Sequence, residues 1–326
     1  MQLKMDTTTD DPVYQGVNSS GVDHDSRIVG PEGYPLFVLM LLEGVLILLG
    51  NTLTVLAIVT TPDLNTQANS YILHLAIADG IVGVAALWWS FNYVDFSRRF
   101  FDHRKYLCIC CYVLTMISVI QSLLTLTLMA VDRLLYVQHP YFHVRSFTER
   151  LTKRIAACTW VFSLAYGASI PLLHEDFNPD IGCVVSEILD SHVDIAKLVP
   201  ILIMMFATSA CYIRIACIAR HQRNRINAEG RASHQEGARS SSGSTAGRSR
   251  VDGLKSTGLF LTINCLFVLS WAPNVVYILV GGSDRVVGFV TFVAMSNSGM
   301  NFVIYAWKNR QFARAYKRLL TRCVRQ

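Results

Sequence analysis

Seven long apolar runs dominate this sequence and constrain its fold more than any other feature. About 20 residues at ~1.5 Å rise per residue cover the ~30 Å hydrocarbon layer of a bilayer, so each run can cross a membrane as a helix. Strands are disfavoured because a lone segment in lipid must satisfy its own backbone amides. Only 16% of the residues are charged, against roughly 25% in soluble domains, which argues against buried helices of a soluble protein. The sequence predicts an all-α membrane protein, a seven-transmembrane helix bundle with spans at 34–60, 70–91, 106–131, 155–173, 195–213, 256–280 and 286–307.

The segments outside the runs predict the domain organisation. Residues 1–33 form a tail, residues 34–307 the membrane domain and residues 308–326 a short second tail. Residues 221–253 are rich in Ser, Gly and Arg and lack apolar periodicity, which predicts a flexible, disordered loop. Cys323, near the chain end, is a candidate for palmitoylation. Before it, apolar residues recur at helical spacing among basic ones and predict an amphipathic helix on an anionic leaflet: Phe312, Ala315, Tyr316, Leu319 and Leu320.

The charge distribution predicts the orientation. One side of the membrane has eight Lys and Arg residues and the other has 21. The positive-inside rule places the 21 in the cytoplasm, which puts the N-terminus of this multi-pass membrane protein outside and its C-terminus inside. Residues 1–33 contain no apolar signal-peptide core, so the first run is expected to act as the signal. Asn18-Ser19-Ser20 is a glycosylation sequon on the extracellular side.

Two of the nine cysteines are placed to form a disulfide. Cys108 lies at the outer end of the third run, and Cys183 is the only cysteine in the outer loop between the fourth and fifth runs. Because the extracellular side is oxidising, these two are the predicted pair, which would pin the loop over the bundle. Cys110 and Cys111 are competing partners that the sequence leaves open.

Two carboxyl groups lie deep in apolar runs: Glu43 in the first and Asp79 in the second. A charge there costs several kcal/mol unless it is paired or hydrated, so each marks a structural or a functional site. His74, in the same run as Asp79, is predicted to be a polar packing residue rather than a metal ligand.

One short signature per run, in order, resembles the rhodopsin-like (class A) G-protein-coupled receptors over residues 34–320. The signatures are Gly50-Asn51, Leu75-Ala76-Ile77-Ala78-Asp79, Asp132-Arg133, Trp160, Pro200, Ser270-Trp271-Ala272-Pro273 and Asn301-Phe302-Val303-Ile304-Tyr305 ahead of Phe312. Residues 75–79 and 134–140 look most like the branch that holds melanocortin, cannabinoid, adenosine and related lipid or orphan receptors. The resemblance implies a receptor without enzymatic activity that binds an extracellular ligand and activates heterotrimeric G proteins. Arrestins, receptor kinases and the lipid bilayer are its further expected partners, and no nucleic acid is.

The resemblance also implies a sodium site, and an allosteric sodium ion is the only cofactor expected. The ion would offset the desolvation of a buried carboxylate and favour the inactive state. Five positions match the family's polar pocket, and their side-chain oxygens suit a hard cation: Asp79, Ser122, Asn297, Ser298 and Asn301.

Several positions resemble the family's activation machinery. Pro273 is expected to kink the sixth helix, so that its cytoplasmic end can swing outward. Arg133 resembles the arginine that is held by its neighbour Asp132 at rest and faces the G protein when active. The other matched residues are Pro200, Gln121, Phe267 and Trp271, which match the region below the ligand that repacks on activation, and Tyr305.

Some positions depart from the family's usual residues. Gly253, next to Asp252, stands where many relatives have an acid that locks the arginine. A weaker lock predicts raised signalling without ligand. The other departures are Leu134, Thr208 and Ser270, where Tyr, Tyr and Cys are usual, and Phe302, where Pro is usual; Tyr212 lies one turn after Thr208.

The expected ligand pocket is mostly apolar, as small-molecule sites tend to be. Thr115 occupies the position where amine receptors have an aspartate, and the seventh run has no Lys, so neither an amine held by that salt bridge nor a retinal Schiff base is expected. The pocket favours a lipid or another apolar molecule. Six acidic residues without any Lys or Arg in 174–194 instead favour a cationic peptide, or form an ordinary solvated face. The predicted pocket residues are Trp88, Trp89, Tyr112, Thr115, Met116, Val119, Asn274, Tyr277, Phe292 and Met295.

A seven-helix transporter or channel-like protein is the alternative function. Such proteins usually need several intramembrane ionisable residues or broken helices along a path, whereas only Glu43 and Asp79 are acidic and deep here. A zinc-dependent membrane hydrolase would need a cluster of His and carboxylate ligands, and runs three to seven contain no His.

Overall fold

The computed structural model describes residues 33–94, 104–173, 191–235, 244–280 and 284–325. The described residues are mostly helical and include no strand, so the all-α prediction is confirmed. Two 3-10 turns, Pro62–Leu64 and Phe91–Tyr93, and a short loop helix, Pro140–Ser146, connect the longer elements. The long helices are α1 Tyr34–Thr60, α2 Gln67–Ser90, α3 Lys105–Gln138, α4 Glu149–Leu173, α5 Ser191–Gln235, α6 Ser244–Val280, α7 Asp284–Lys308 and α8 Arg310–Arg325.

Proline sets several of the helix ends. Pro35 occupies the first turn of α1, where its missing N–H needs no acceptor. Pro62 follows the end of α1, and Thr61 before it adopts an extended conformation, as the residue before a proline generally does. Pro140 is the first residue of the loop helix and follows His139, the C-cap residue of α3.

Side-chain caps start three of the helices. Thr66 precedes α2 and Thr148 precedes α4, and each accepts a hydrogen bond from the backbone N–H three residues further on at 3.3 Å. Asn309 lies between α7 and α8, and its Oδ1 accepts from the N–H of Gln311 at 2.9 Å. Such caps satisfy backbone donors that the first turn of a helix leaves free.

The helices pack side by side as a bundle whose outer surface is apolar. Leu49, Val59 and Phe206 are 65%, 70% and 73% exposed, which suits side chains that face lipid rather than water. The interior holds a cluster of buried apolar side chains from α1, α2, α3, α5, α6, α7 and α8. Gln121 of α3 ties α4 to the bundle, because its amide bonds the hydroxyls of Thr159 and Ser163 at 3.2 and 3.0 Å.

Six segments of the described helices are long and apolar enough to cross a membrane: Tyr34–Thr60, Gln67–Tyr93, Lys105–Gln138, Leu198–His221, Leu261–Val280 and Val286–Lys308. Helix α4 has 25 residues and occupies the place of the predicted fourth span.

Residues 221–235 and 244–253 are helical in the structure, whereas the sequence predicts a flexible, disordered loop over 221–253. Residues 221–235 continue α5, and residues 244–253 form the beginning of α6. Extending an existing helix adds one hydrogen bond per residue without the cost of a new nucleus. The extension of α5 is also rich in Ala, Arg, Gln and Asn and contains a single Gly, so its intrinsic helix propensity is adequate.

Several predicted sites fall on parts of the chain that the structure leaves out. Asn18, Cys183, the acidic loop 174–190 and the side chain of Cys323 lie outside the described residues. Cys108 is disulfide-bonded, whereas Cys110 and Cys111 are free thiols. The competing partners are therefore not paired in this structure, and the pairing of Cys108 with Cys183 stays a prediction.

Candidate functional site

A cluster of polar side chains surrounds Asp79 in the middle of the bundle. Asp79 is fully buried, and its carboxylate receives hydrogen bonds from α3 and α7. Ser122 Oγ and Ser298 Oγ donate to Oδ1 at 3.3 and 2.8 Å, and Asn301 Nδ2 donates to Oδ2 at 2.7 Å. The cluster therefore joins α2, α3 and α7 through one carboxylate, and four of the five predicted sodium-site residues meet there.

The fifth predicted residue, Asn297, is also buried, and its Oδ1 has no hydrogen-bond partner among the described residues. Within the same residues, the Oδ1 atoms of Asn301 and Asn51 are buried and unpartnered as well. A buried acceptor without a donor is costly. Asn301 bonds Asp79, Asn51 bonds the backbone of Ser298, and Asn297 precedes Ser298 in α7. Amide oxygens are among the donors that a hard cation prefers.

Asn51 connects α1 to the same region. Its Nδ2 donates to the backbone oxygens of Ile47 at 2.9 Å and of Ser298 at 3.1 Å. The second bond fixes the backbone of α7 at the residue whose hydroxyl reaches Asp79. Sequence reasoning included Asn51 in the family signature but did not place it at the cluster.

Asp132, near the end of α3, is bonded to two bases. Arg133 Nε lies 3.6 Å from Asp132 Oδ2, as the resemblance predicts. His143 of the loop helix places Nε2 2.9 Å from Asp132 Oδ1, and its ring stacks on Phe147 with 4.9 Å between centroids. The loop helix is thereby tied to the carboxylate that also holds the arginine. The sequence offered no signal for this contact, since it depends on how the loop folds back.

Helices α5 and α7 each contribute a buried tyrosine to the interior of the bundle. Tyr212 of α5 and Tyr305 of α7 are 2% and 0% exposed, and neither hydroxyl has a hydrogen-bond partner among the described residues. Thr208, where the family usually has Tyr, bonds the hydroxyl of Thr127 in α3 at 2.8 Å instead. The ring of Tyr305 lies 5.4 Å from that of Phe312 in α8.

The aromatic pair of α6 lies just before its proline. The rings of Phe267 and Trp271 stack with centroids 5.8 Å apart, and Phe267 is 2% exposed. Pro273 lies inside α6 and Pro200 inside α5, and each removes a backbone donor. Gln121, which was expected with this group, bonds α4 instead, because the hydroxyls there satisfy its amide.

Two residues of the predicted ligand pocket are joined by a hydrogen bond. Trp89 Nε1 donates to Thr115 Oγ1 at 3.3 Å, and Thr115 in turn donates to the backbone oxygen of Cys111 at 2.9 Å. Val119 and Met295 are buried, and the other eight predicted residues are partly exposed. Met295 also belongs to a small apolar cluster against which Trp89 packs.

The other deep carboxyl group lies between α1 and α7. Glu43 is 8% exposed, and Ser296 Oγ donates to its Oε1 at 2.6 Å. His74 accepts a hydrogen bond on Nδ1 from Trp160 Nε1 at 3.2 Å, which agrees with a packing role. The described residues contain no group of three or more His, Cys, Asp or Glu arranged to bind a metal ion.

Comparisons with known proteins agree with this arrangement. Residues 50–305 match the family described as 7 transmembrane receptor (rhodopsin family). Melatonin receptor type 1B-B of Danio rerio is 25% identical over 329 residues, which cover 93% of this chain and 88% of that receptor. Trace amine-associated receptor 8b of Mus musculus is 27% identical, covering 88% of this chain and 86% of the relative. A rhodopsin, GQ-coupled, of Mizuhopecten yessoensis is 23% identical, covering 88% of this chain and 59% of the relative.

The family match spans five of the predicted runs completely and most of the seventh, and it includes every residue of the Asp79 cluster. It confirms the resemblance drawn from the sequence signatures, while the placement in one branch stays a prediction. The chain belongs to the rhodopsin family of seven-transmembrane receptors, and it is a G-protein-coupled receptor.

Proposed function

We propose that an extracellular ligand activates this receptor by favouring a form in which the cytoplasmic end of α6 swings outward and a heterotrimeric G protein binds. The observation that carries this proposal is the pairing of Arg133 with Asp132, 3.6 Å apart. An arginine held by its neighbour is at rest, and the kink expected at Pro273 gives α6 a place to bend. An agonist acts only through its tighter binding to the active form, so no bond is made or broken.

Guanine-nucleotide exchange on a co-expressed G protein tests the proposal. We expect exchange above that of cells without the receptor, and we expect Arg133→Gln to remove it at equal surface expression. Arg150→Gln, an exposed cation at the start of α4, is the matched control and should retain exchange. Ion or solute flux without exchange would instead support the transporter alternative.

A sodium ion at the Asp79 cluster is the second part of the proposal. The three unpartnered amide oxygens and the Asp79 carboxylate are chemically suited to hold it. When bound, the ion supplies positive charge to a carboxylate that the chain pairs only with neutral donors. Asp79, Ser298 and Asn301 would then hold α2 and α7 together, which favours the inactive state.

Replacing Asp79 tests the ion site. In Asp79→Asn we expect the thermal stability of the purified receptor to respond equally to sodium and choline chloride, whereas sodium should stabilise the wild type selectively. Agonist binding should lose its sodium dependence in the same variant. Glu149→Gln, on the exposed start of α4, should behave as the wild type. An unchanged sodium effect in Asp79→Asn would contradict the assignment.

The ligand is proposed to be a lipid or another apolar molecule that lies against the ten pocket residues, or a cationic peptide drawn by the acidic loop. The names of two relatives state melatonin and trace amines as their ligands. Thr115 takes part in a hydrogen bond with Trp89 and offers no carboxylate for an amine. A screen of lipids against basic peptides on the wild type and Trp89→Ala separates the classes, because loss of response in the variant is expected only for a ligand in the pocket.

We place the receptor in the plasma membrane with its N-terminus outside and its C-terminus in the cytoplasm. Arrestins and receptor kinases are its further proposed partners, and α8 lies on the inner leaflet. The proposed cytoplasmic side has 21 Lys and Arg residues and the opposite side has eight, which supports this orientation.

A further inference from the structure

Glu43 is a buried carboxyl group that the proposed signalling mechanism does not use. It lies in α1 on the face that packs against α2 and α7, and it is 8% exposed. One turn further along α1, Ile47 forms an apolar cluster with Ala86 of α2 and Met295 of α7. Gly44, beside Glu43, packs against Leu87 so closely that a Cβ would lie 2.8 Å from it. The carboxyl group therefore occupies a tightly packed interface with apolar neighbours.

Only one of the two carboxyl oxygens of Glu43 has a hydrogen-bond partner among the described residues. Ser296 Oγ donates to Oε1 at 2.6 Å, and Oε2 has no partner within the described residues. An ionised carboxylate needs several donors or a cation when it is buried, whereas a neutral carboxylic acid leaves at most one hydroxyl unsatisfied. With a single donor in an apolar interface, the neutral form is the less costly one.

Among the residues that the structure describes, no cation lies near enough to Glu43 to compensate a negative charge. Glu43 is the only Asp, Glu, Lys, Arg or His in α1. In α2 the other such groups are Asp79, an acid, and His74, which bonds Trp160 of α4. On α7, Asp284 and Arg285 lie at the first turn, roughly 16 Å along the helix axis from Ser296. Tyr93, after α2, lies against Gly288 with its hydroxyl, about two turns from Ser296.

A short stretch of α7 connects the two deep carboxyl groups. Ser296 donates to Glu43, and Ser298, two residues later, donates to Asp79 at 2.8 Å. Two residues correspond to about 200° of helix rotation, so the two serines point to opposite sides of α7. Helix α7 is thus held between α1 and α2 by one hydroxyl on each side. A rotation of α7 must change the surroundings of both carboxyl groups.

We propose that Glu43 is a proton-binding site: its carboxyl group holds a proton while α1 is packed on α7, and releases that proton to water when the interface opens. The ligand of this site is the proton itself, which water delivers and accepts. Opening admits the donors that an ionised carboxylate needs, so the proton is exchanged for hydration. The position of α7 and the occupancy of Glu43 are then linked, and each biases the other.

Infrared difference spectroscopy on the purified receptor in lipid nanodiscs tests the proposal directly. Between neutral and alkaline pH, the wild type should lose the carbonyl stretching band of a protonated carboxylic acid. Glu43→Gln keeps the size of the side chain and removes the acid, so that band should be absent from its difference spectrum. Ser296→Ala should keep the band and shift its frequency, because the hydrogen bond to Oε1 is gone.

Two controls separate Glu43 from other carboxyl groups. Glu149 is exposed, and the hydrogen bond from Lys153 lowers the pKa of its carboxyl, so Glu149→Gln should leave the band unchanged. Asp79→Asn should also retain the band that Glu43→Gln removes. A wild-type spectrum without the band, or a Glu43→Gln spectrum that still shows it, would overturn the proposal.

The pH dependence of stability gives a second, independent measurement. An exposed glutamate in the unfolded chain is ionised at neutral pH, so the folded receptor holds one more proton than the unfolded chain. Folding stability then falls as pH rises. Relative to Glu43→Gln, we expect the unfolding equilibrium constant of the wild type to rise by up to about tenfold per pH unit between about pH 5 and neutrality, where the unfolded glutamate is ionised and the folded one still holds its proton. Parallel pH profiles for the two proteins would contradict the site. Neither measurement depends on G-protein coupling, so failure here leaves the proposed function unaffected.

Discussion

The missing Cβ of Gly50 determines how closely α1 and α7 approach each other. A Cβ built on Gly50 would overlap the ring of Phe302, which stands where the family usually has proline. The aromatic ring therefore occupies space that only glycine leaves open. Thr54, one turn later, donates a hydrogen bond from its hydroxyl to the Gly50 backbone oxygen at 2.9 Å. Gly50, which belongs to a family signature, and Phe302, which departs from the family pattern, thus form a matched pair across α1 and α7.

Gly50→Ala should destabilise the receptor by about 1–3 kcal/mol, because added volume in a tightly packed interface forces side chains or backbone to shift. The measurement is the thermal midpoint of the purified protein. Gly80→Ala is the control, since nothing lies within 4 Å of a Cβ at Gly80, and it should be neutral or slightly stabilising. Adding Phe302→Leu to Gly50→Ala should recover part of the loss. Equal midpoints for the two alanine variants would exclude the proposed steric conflict.

The contact of His143 with Asp132 gives a second prediction. His143→Phe keeps an aromatic ring to stack on Phe147 but removes the 2.9 Å hydrogen bond. We expect a loss of about 1–3 kcal/mol, since a bond to an ionised group is stronger than a neutral one. Amide hydrogen exchange of the loop helix should become faster, while that of α8 stays unchanged. Unaltered exchange in residues 140–146 would show that the bond does not hold the loop helix.

Residues of the site differ in how far the sequence could predict them. Asp79, Ser298 and Asn301 were predicted together because each matches a position of the family's polar pocket. Glu43 was noticed only as a deep acid, and its pairing with Ser296 joins positions 253 residues apart. No local pattern encodes such a contact, because it depends on which faces of α1 and α7 meet. Unsatisfied atoms, such as Oε2 of Glu43, become visible only when all partners are counted in three dimensions.

At the scale of elements, α8 is attached to the bundle through one side. Phe312, Ala315 and Tyr316 are buried, whereas Leu320 is 55% exposed. The Tyr316 hydroxyl and Thr54 Oγ1 of α1 lie 2.8 Å apart. Burial raises the pKa of Tyr316 to about 12, so the phenol keeps its proton throughout the physiological range. Part of the apolar face predicted from the sequence therefore packs against the bundle, while Leu320 stays exposed.

Tyr316→Phe should loosen α8 without unfolding the bundle. The variant keeps the ring and removes one neutral hydrogen bond, which contributes about 0.5–1.5 kcal/mol. We expect faster amide hydrogen exchange within α8 and a small fall in the thermal midpoint. Tyr141→Phe is the matched control, because Tyr141 is 92% exposed. If both variants exchange like the wild type, the bond to Thr54 does not anchor the helix.

The helix bounds agree with the predicted spans where the helix ends together with its apolar run, and they differ where the helix continues beyond that run. The prediction for α1 coincided with the structure, because Pro35 and Pro62 enclose its apolar run. Helices α5 and α6 extend well beyond their apolar runs. Hydropathy predicts which part of a helix lies in the membrane. It does not predict how far the helix continues into water, because the extension is polar. Propensity and the low cost of extension decide those ends instead.

At the scale of the whole molecule, the charges of the sequence separate by side. The proposed outer side has a net charge of −7 and the proposed inner side +15. This asymmetry predicts that an antibody to an N-terminal tag binds intact cells and that one to a C-terminal tag binds only after permeabilisation. Removal of N-linked glycans should increase mobility on a gel, and Asn18→Gln should abolish that change. Tags with the reverse accessibility would contradict the orientation.

The beginning of α6 predicts the resting activity of the receptor. Gly253 lies in helical backbone at a position where many relatives have an acid that holds the arginine. We expect second-messenger output without ligand to exceed that of untransfected cells. Gly253→Glu should lower it at matched surface expression, because a carboxylate can then pair with Arg133. Output equal to that of untransfected cells would count against the weak lock.

Helix α1 makes its described polar contacts with α7 and α8 and none with α6: Glu43 with Ser296, Asn51 with Ser298, and Thr54 with Tyr316. Together these contacts hold α1 against α7 and α8. A spectroscopic probe on the outward surface of α1 can therefore serve as the reference position for distance measurements to α6. A label at Val59, 70% exposed, paired with one at the exposed Cys265 of α6, would report the displacement of α6 itself.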